Sequence, residues 1–179
     1  MAHQEGTVVM CPPVGTIVLT RIPGPVGLLV RVGQALIGDW SPWTHAGLVV
    51  SPGLVAQAMP GGLEIAPWDR LYGAGVLPLT GWPTATPVQL ARLEDVATSL
   101  VGTPYGWVDY LSLGLAWLHV RPAWLRRWIA SDRTLICSQA VDLIWSRVGV
   151  QLYADGRLPG DVTPGDLHAA WDQAIAGLE

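Results

Sequence analysis

Lysine, asparagine and phenylalanine are absent from this chain, and charge of either sign is scarce, with 13% of its 179 residues charged. All ten basic side chains are arginines, scattered without a cationic run, and the formal net charge is −4. Phosphate backbones are bound by clustered positive charge, so nucleic acid is set aside as a partner. Two cysteines, Cys11 and Cys137, are too few for a disulfide-dense secreted scaffold, and both are expected as free thiols. The longest apolar runs, Val26 to Ile37 and Leu111 to Leu118, fall short of the ~20 residues a membrane-spanning helix needs. Met1 to Met10 show no basic segment leading into a long apolar stretch and a small-residue cleavage site, so cytoplasmic synthesis without a secretory signal is expected. No pair among His3, His45, His119, His168 and the cysteines has the tight spacing of a zinc site. No metal and no cofactor are therefore expected. Internal repeats and low-complexity linkers are also missing.

What is present is apolar. Half the residues are hydrophobic, which excludes a disordered chain, and 179 residues suit one domain, 1–179, able to bury most of its apolar surface. Ten tryptophans supply the large aromatics, and each buried indole N–H needs a partner.

Val14 to Thr20 is a β-branched run between Pro12-Pro13 and Pro23-Gly24-Pro25, which reads as a first strand. Pro25 opens a helix to about Ile37, with Val26, Leu29, Val30, Leu36 and Ile37 as its buried stripe, Arg31 and Gln34 facing out, and Gly38 as its stop. Thr44 to Ser51 and Leu54 to Met59 are strand-like runs joined by Pro52-Gly53 as a tight antiparallel turn. A third such run begins at Leu63. Gly73 to Pro83 reads as a Gly/Pro-rich connection. Thr86-Pro87 starts a helix closed by Gly102, Asp132 to Val148 holds a further helix, and Thr163-Pro164 starts the last. The expected class is α+β, a small antiparallel sheet with helices against one face.

Two of these elements carry chemistry. Cys137 precedes a helical pattern and falls in its first turn, where the partial positive charge and open N–H groups favour a thiolate and a developing oxyanion. The bland reading is a small buried hydrophobe. His45 lies in an apolar strand, where an imidazole is costly to bury unless its nitrogens are satisfied; it is either a general base or a structural histidine. A base requires a polar group to orient it. Gln57, on the strand paired with that of His45, can lie close across the ladder, and Glu64, one strand on, is the alternative. Cys11, just 34 residues before His45, is incidental, and Asp109, Asp132 and Asp142 are solvated or capping. The stretch Trp107 to Trp128 interleaves Trp107, Tyr110, Trp117, Trp124 and Trp128 with Arg121, Arg126 and Arg127. It is either a peripheral lipid-contacting segment or a helical cap with snorkelling arginines.

Four motifs, Thr44-His45-Ala46-Gly47-Leu48-Val49, Gln57-Ala58-Met59-Pro60-Gly61-Gly62-Leu63, Gly102-Thr103-Pro104-Tyr105-Gly106 and Ile136-Cys137-Ser138-Gln139-Ala140-Val141, together resemble the circularly permuted branch of the NlpC-like papain-fold hydrolases. The YiiX-like peptidases are nearest in pattern and the lecithin:retinol acyltransferase-like proteins more distant. The likeness runs from about Val14 to Leu167. It implies a papain-like fold in which a strand histidine precedes a helix-start cysteine, with Cys137 as nucleophile, His45 as base and Gln57 at the third polar position, where the YiiX-like pattern more often has Glu. Tyr105 matches the tyrosine-bearing loop of the family's clefts, or is a packing residue after a turn. The implied activity is hydrolysis of an amide, with a cell-wall peptide of peptidoglycan as substrate for a bacterial or phage-encoded protein. The alternatives are a lipid acyl or thioester substrate, and a non-catalytic binding or virion-structural module.

Overall fold

The computed structural model describes residues 10–36, 38–59, 61–104, 136–155 and 162–177. Among them the strands are β1 (Ile17–Arg21), β2 (His45–Ser51), β3 (Leu54–Met59), β4 (Gly62–Pro67) and β5 (Ala74–Leu79). The helices are α1 (Gly24–Leu36), α2 (Pro87–Ala91), α3 (Leu93–Leu100), α4 (Cys137–Arg147) and α5 (Pro164–Ala176). The strands form one antiparallel sheet in the order β4-β3-β2-β1-β5. The α+β class therefore holds.

Side chains alternate across a strand, and the two faces of this sheet differ. Ile17, Leu19, Ala46, Leu48, Val50, Ala56 and Ala58 look into the main core, where α3 and α4 supply Leu93, Ala97, Leu100, Ala140, Val141, Ile144 and Trp145. The opposite face carries Val18, Val49 and Val55 in a smaller cluster with Cys11, Trp68 and Leu71. Thr20, His45, Gly47 and Gln57 belong to this second face by the registers Thr20↔His45, Val18↔Gly47 and Gly47↔Gln57.

Three departures from the sequence reading stand out. Gly73 to Pro83 is not merely a connection, because Ala74–Leu79 pairs with β1. Glycines and Pro78 hide this strand from pattern reading; it is an edge strand, where proline is tolerated. Gln34 does not face out. Its amide is buried, donating to Trp43 O at 2.9 Å and accepting from Gly165 N at 3.1 Å, while Leu28 and Val32 of the same helix are exposed. The run after Thr86 is also two helices rather than one, since Arg92 N–H bonds to Gln89 O three residues back.

Helix starts follow their caps. Thr163 accepts from Asp166 N at 3.0 Å while Asp166 accepts from Thr163 N at 2.9 Å, a reciprocal box that opens α5. Thr86 and Gln89 do the same for α2. The cap position of α4 holds Ile136, whose side chain offers no acceptor; Gln139 reaches back to Ile136 N instead, at 3.1 Å. Among the described residues no helix is long and apolar enough to cross a membrane.

Candidate active site

His45 opens β2 and is 1% exposed. Its Nε2 lies 3.2 Å from Gln57 Oε1. The partner directly opposite Gln57 in the ladder is Gly47, so the contact is diagonal, within reach of long side chains on one face. Gly47 has no Cβ, and one would lie 2.8 Å from Val55 Cγ1 and 3.3 Å from Leu71 Cδ1.

The Gln57 amide is held from both ends. Its Nε2 donates to Glu64 Oε1 at 3.0 Å and to Arg70 O at 3.3 Å, while its Oε1 accepts the backbone N–H of Tyr72 at 3.0 Å. A backbone carbonyl can only accept and a backbone N–H can only donate, so the amide cannot be flipped. Gln57 Oε1 must then accept from His45, which fixes a neutral imidazole as the Nε2–H tautomer and leaves Nδ1 as the lone-pair nitrogen. Burial pushes the pKa of His45 from its ordinary 6.5 down to about 4, opposed in part by the Gln57 hydrogen bond. At neutral pH the ring is an uncharged base.

Glu64 thus takes a different place from the one weighed in the sequence. It is the neighbour of Gln57 rather than of His45, the three strands passing the interaction along as His45, Gln57, Glu64.

Cys137 is the first residue of α4 and is fully buried. Its helix packs against β2 and β3. At the far end, Trp145 lies against Gly15, whose N–H bonds to Val49 O at 2.8 Å. At the near end, Ser138 Oγ donates to Val162 O at 2.6 Å; Gly165 then bonds to Gln34, and Gln34 to the carbonyl of Trp43, two residues before His45. Cys137 and His45 therefore share one end of the sheet. They enter from opposite faces, Cys137 with the main core and His45 from the second face.

Tyr72 is the residue that sequence reasoning missed. Its ring meets His45 edge-on, with centroids 5.6 Å apart and planes at 87°. It sits in the stretch read as a Gly/Pro-rich connection and its approach, where neither periodicity nor motif marks it. Cys11 is part of the smaller cluster on the second face. Asp142 is buried in α4 rather than solvated. Tyr105, Asp109, Asp132 and the Trp107 to Trp128 stretch lie outside the described residues. Among the described residues no three His, Cys, Asp or Glu side chains gather as a metal site.

No family model matches this chain, and no curated protein matches it in sequence.

Proposed function

We propose that this chain is a cysteine hydrolase of the permuted NlpC-like, papain-like kind, with Cys137 as nucleophile, His45 as general base and Gln57 as the group that orients His45. The observation that carries this reading is the hydrogen bond from His45 Nε2 to a Gln57 amide locked by Glu64, Arg70 and Tyr72. A structural histidine needs no such preset tautomer, whereas a base needs its second nitrogen kept as a lone pair. The start of α4 lies at the same end of the sheet, so Nδ1 and the thiol would meet around the N-terminal end of β2.

The step runs as follows. The Cys137 thiol gives its proton to His45 Nδ1 as Sγ attacks the substrate carbonyl carbon. The tetrahedral oxyanion gathers against N–H groups at the start of α4. The imidazolium returns the proton to the leaving nitrogen as the C–N bond breaks, giving a thioester and a free amine, and water, deprotonated by His45, then releases the acid and restores the thiol. Because burial disfavours the charged imidazole and Gln57 brings no charge of its own, proton transfer accompanies attack instead of preceding it as a standing thiolate–imidazolium pair.

The substrate class proposed first is a cell-wall peptide amide of peptidoglycan, in a bacterial or phage setting. A lipid acyl or thioester substrate is the second reading. Leu28, Val32 and Trp40 are all exposed on and just after α1, with the Arg31 guanidinium 5.8 Å from the Trp40 ring centre, a mix suited to a lipid surface. Iodoacetamide labelling near neutral pH tests the enzyme class. Cys137 is expected to label faster than Cys11, and His45→Ala to abolish the difference; equal, slow labelling of both thiols would leave a non-catalytic module on this fold. Release of peptide fragments from purified peptidoglycan, against release of fatty acid from phospholipid vesicles, separates the two substrates.

A further inference from the structure

Strands β4 and β5 are the two outer edges of the sheet, so the chain between them must cross an entire face. It does so over residues 68–73, on the face that carries His45, Gln57 and Thr20. Trp68 and Leu71 pack there on Val18, Val49 and Val55.

Three hydrogen bonds tie the crossing segment to the site. Gln57 Nε2 donates to Arg70 O at 3.3 Å, Tyr72 N donates to Gln57 Oε1 at 3.0 Å, and Thr20 Oγ1 donates to Tyr72 O at 2.6 Å. Thr20 stands directly opposite His45 in the ladder. The segment closes on it because residue 73 is glycine at φ +105°; a Cβ there would lie 2.5 Å from Thr20 Oγ1, and the left-handed backbone disfavours other residues. Tyr72 is thereby fixed by its own main chain, with its ring edge-on to the imidazole and 36% of its surface exposed. One atom, Gln57 Oε1, accepts from both Tyr72 and His45.

Resting on the hydrolase reading above, we infer that Tyr72 is a positioning residue for His45: its main chain locks the Gln57 amide that sets the imidazole tautomer, and its ring walls the imidazole off from water. The described contacts of the imidazole are Gln57 and Tyr72. The charged and titratable groups on the elements around it are Glu64, reached through Gln57, Asp69 and Arg70 on the crossing segment, Arg21 next to Thr20 on β1, and Cys137 at the start of α4. Burial is the leading cause that keeps His45 uncharged, and the Tyr72 ring is one of the groups packed against the imidazole.

Two measurements on the full chain test the assignment: titration of the His45 ring protons by NMR, and the pH profile of Cys137 alkylation by iodoacetamide. Tyr72→Phe keeps the ring and the main chain, and is expected to leave both within experimental scatter of the wild type. Tyr72→Ala opens the wall, and is expected to raise the His45 midpoint by about one pH unit or more towards its ordinary value, moving the alkylation profile in the same sense. Should the alanine variant not fold, Tyr72→Leu fills the space without an aromatic edge and serves in its place, with a smaller shift in the same direction. A folded Ala or Leu variant whose His45 titrates as in the wild type would overturn the proposal, as would a Phe variant that shifts as far as Ala. Failure of the hydrolase reading looks different: wild-type Cys137 would alkylate no faster than Cys11, whatever the ring titration does.

Discussion

His45 makes folding itself sensitive to acid. Its imidazole titrates near 6.5 when exposed in the unfolded chain and near 4 in the folded one, so between those values the unfolded state binds more protons. The depressed value means that the contribution of His45 to stability is complete above about pH 6.5, falls as pH drops, and levels out below about 4, a change of roughly 3 kcal/mol. Urea unfolding across pH 4 to 7 is expected to show this slope in the wild type and a flatter one in His45→Gln. The third position gives a second prediction. In a Gln57→Glu/Glu64→Gln double variant the carboxylate moves next to the imidazole, and the His45 midpoint, read by NMR, is expected to rise above about 4 because an opposite charge favours the protonated ring; an unchanged midpoint would mean that Gln57 does not govern this ring. His45 and Gln57 were legible in the sequence because each is polar in an apolar strand, and such a residue needs a reason. Glu64 was legible as a candidate but not in its role, since the choice between a partner and a partner's partner depends on side-chain reach. Tyr72 was illegible because its contact is made by a crossing segment that no local pattern announces.

At the scale of elements, the starts of helices were the most readable features. Thr163-Pro164 and Thr86-Pro87 name their helices because a hydroxyl and a proline suit those positions. The two caps differ in depth: Thr163 is buried and also bonds Asp39, whereas Thr86 is exposed. Thr163→Ala is therefore expected to cost about 2 kcal/mol and Thr86→Ala about 1 or less, measured by chemical denaturation; equal losses would mean that the tie to Asp39 contributes nothing. Strands β2 and β3 were equally plain, since β-branched runs flank a Pro-Gly turn. Strand β5 was not, because its stability comes from pairing with β1 and not from its own glycine and proline content. Gln34 misled for a related reason: an amide on a helix reads as solvent-facing until a carbonyl and an N–H from elsewhere come to meet it. The indoles divide in the same way. Trp171 donates to Thr80 O at 2.9 Å, while the buried Trp145 Nε1 has no hydrogen-bond partner among the described residues, contrary to the expectation that every buried indole finds one.

For the molecule as a whole, the order of elements matters more than their number. The sequence places the histidine strand before the cysteine helix, and the structure packs that helix against β2; the faces on which Cys137 and His45 lie follow from strand parity and helix packing, neither of which is visible in a motif. The edge-to-edge crossing of residues 68–73 has a consequence in time as well as space. Strands β2, β3 and β4 follow one another through short turns, so their pairings close small loops, whereas β5 must find β1 across more than fifty residues of chain. Distant pairings form late because loop closure has to precede any gain from contact. In pulsed hydrogen exchange during refolding, the amides of the β2-β3-β4 meander are expected to gain protection before those joining β1 to β5, and simultaneous protection would contradict this sequence of events. The crossing segment is anchored at its second end only when β5 docks, so a half-folded chain holds its imidazole wet and unoriented. A buried, oriented imidazole would then be the last feature this molecule acquires as it folds.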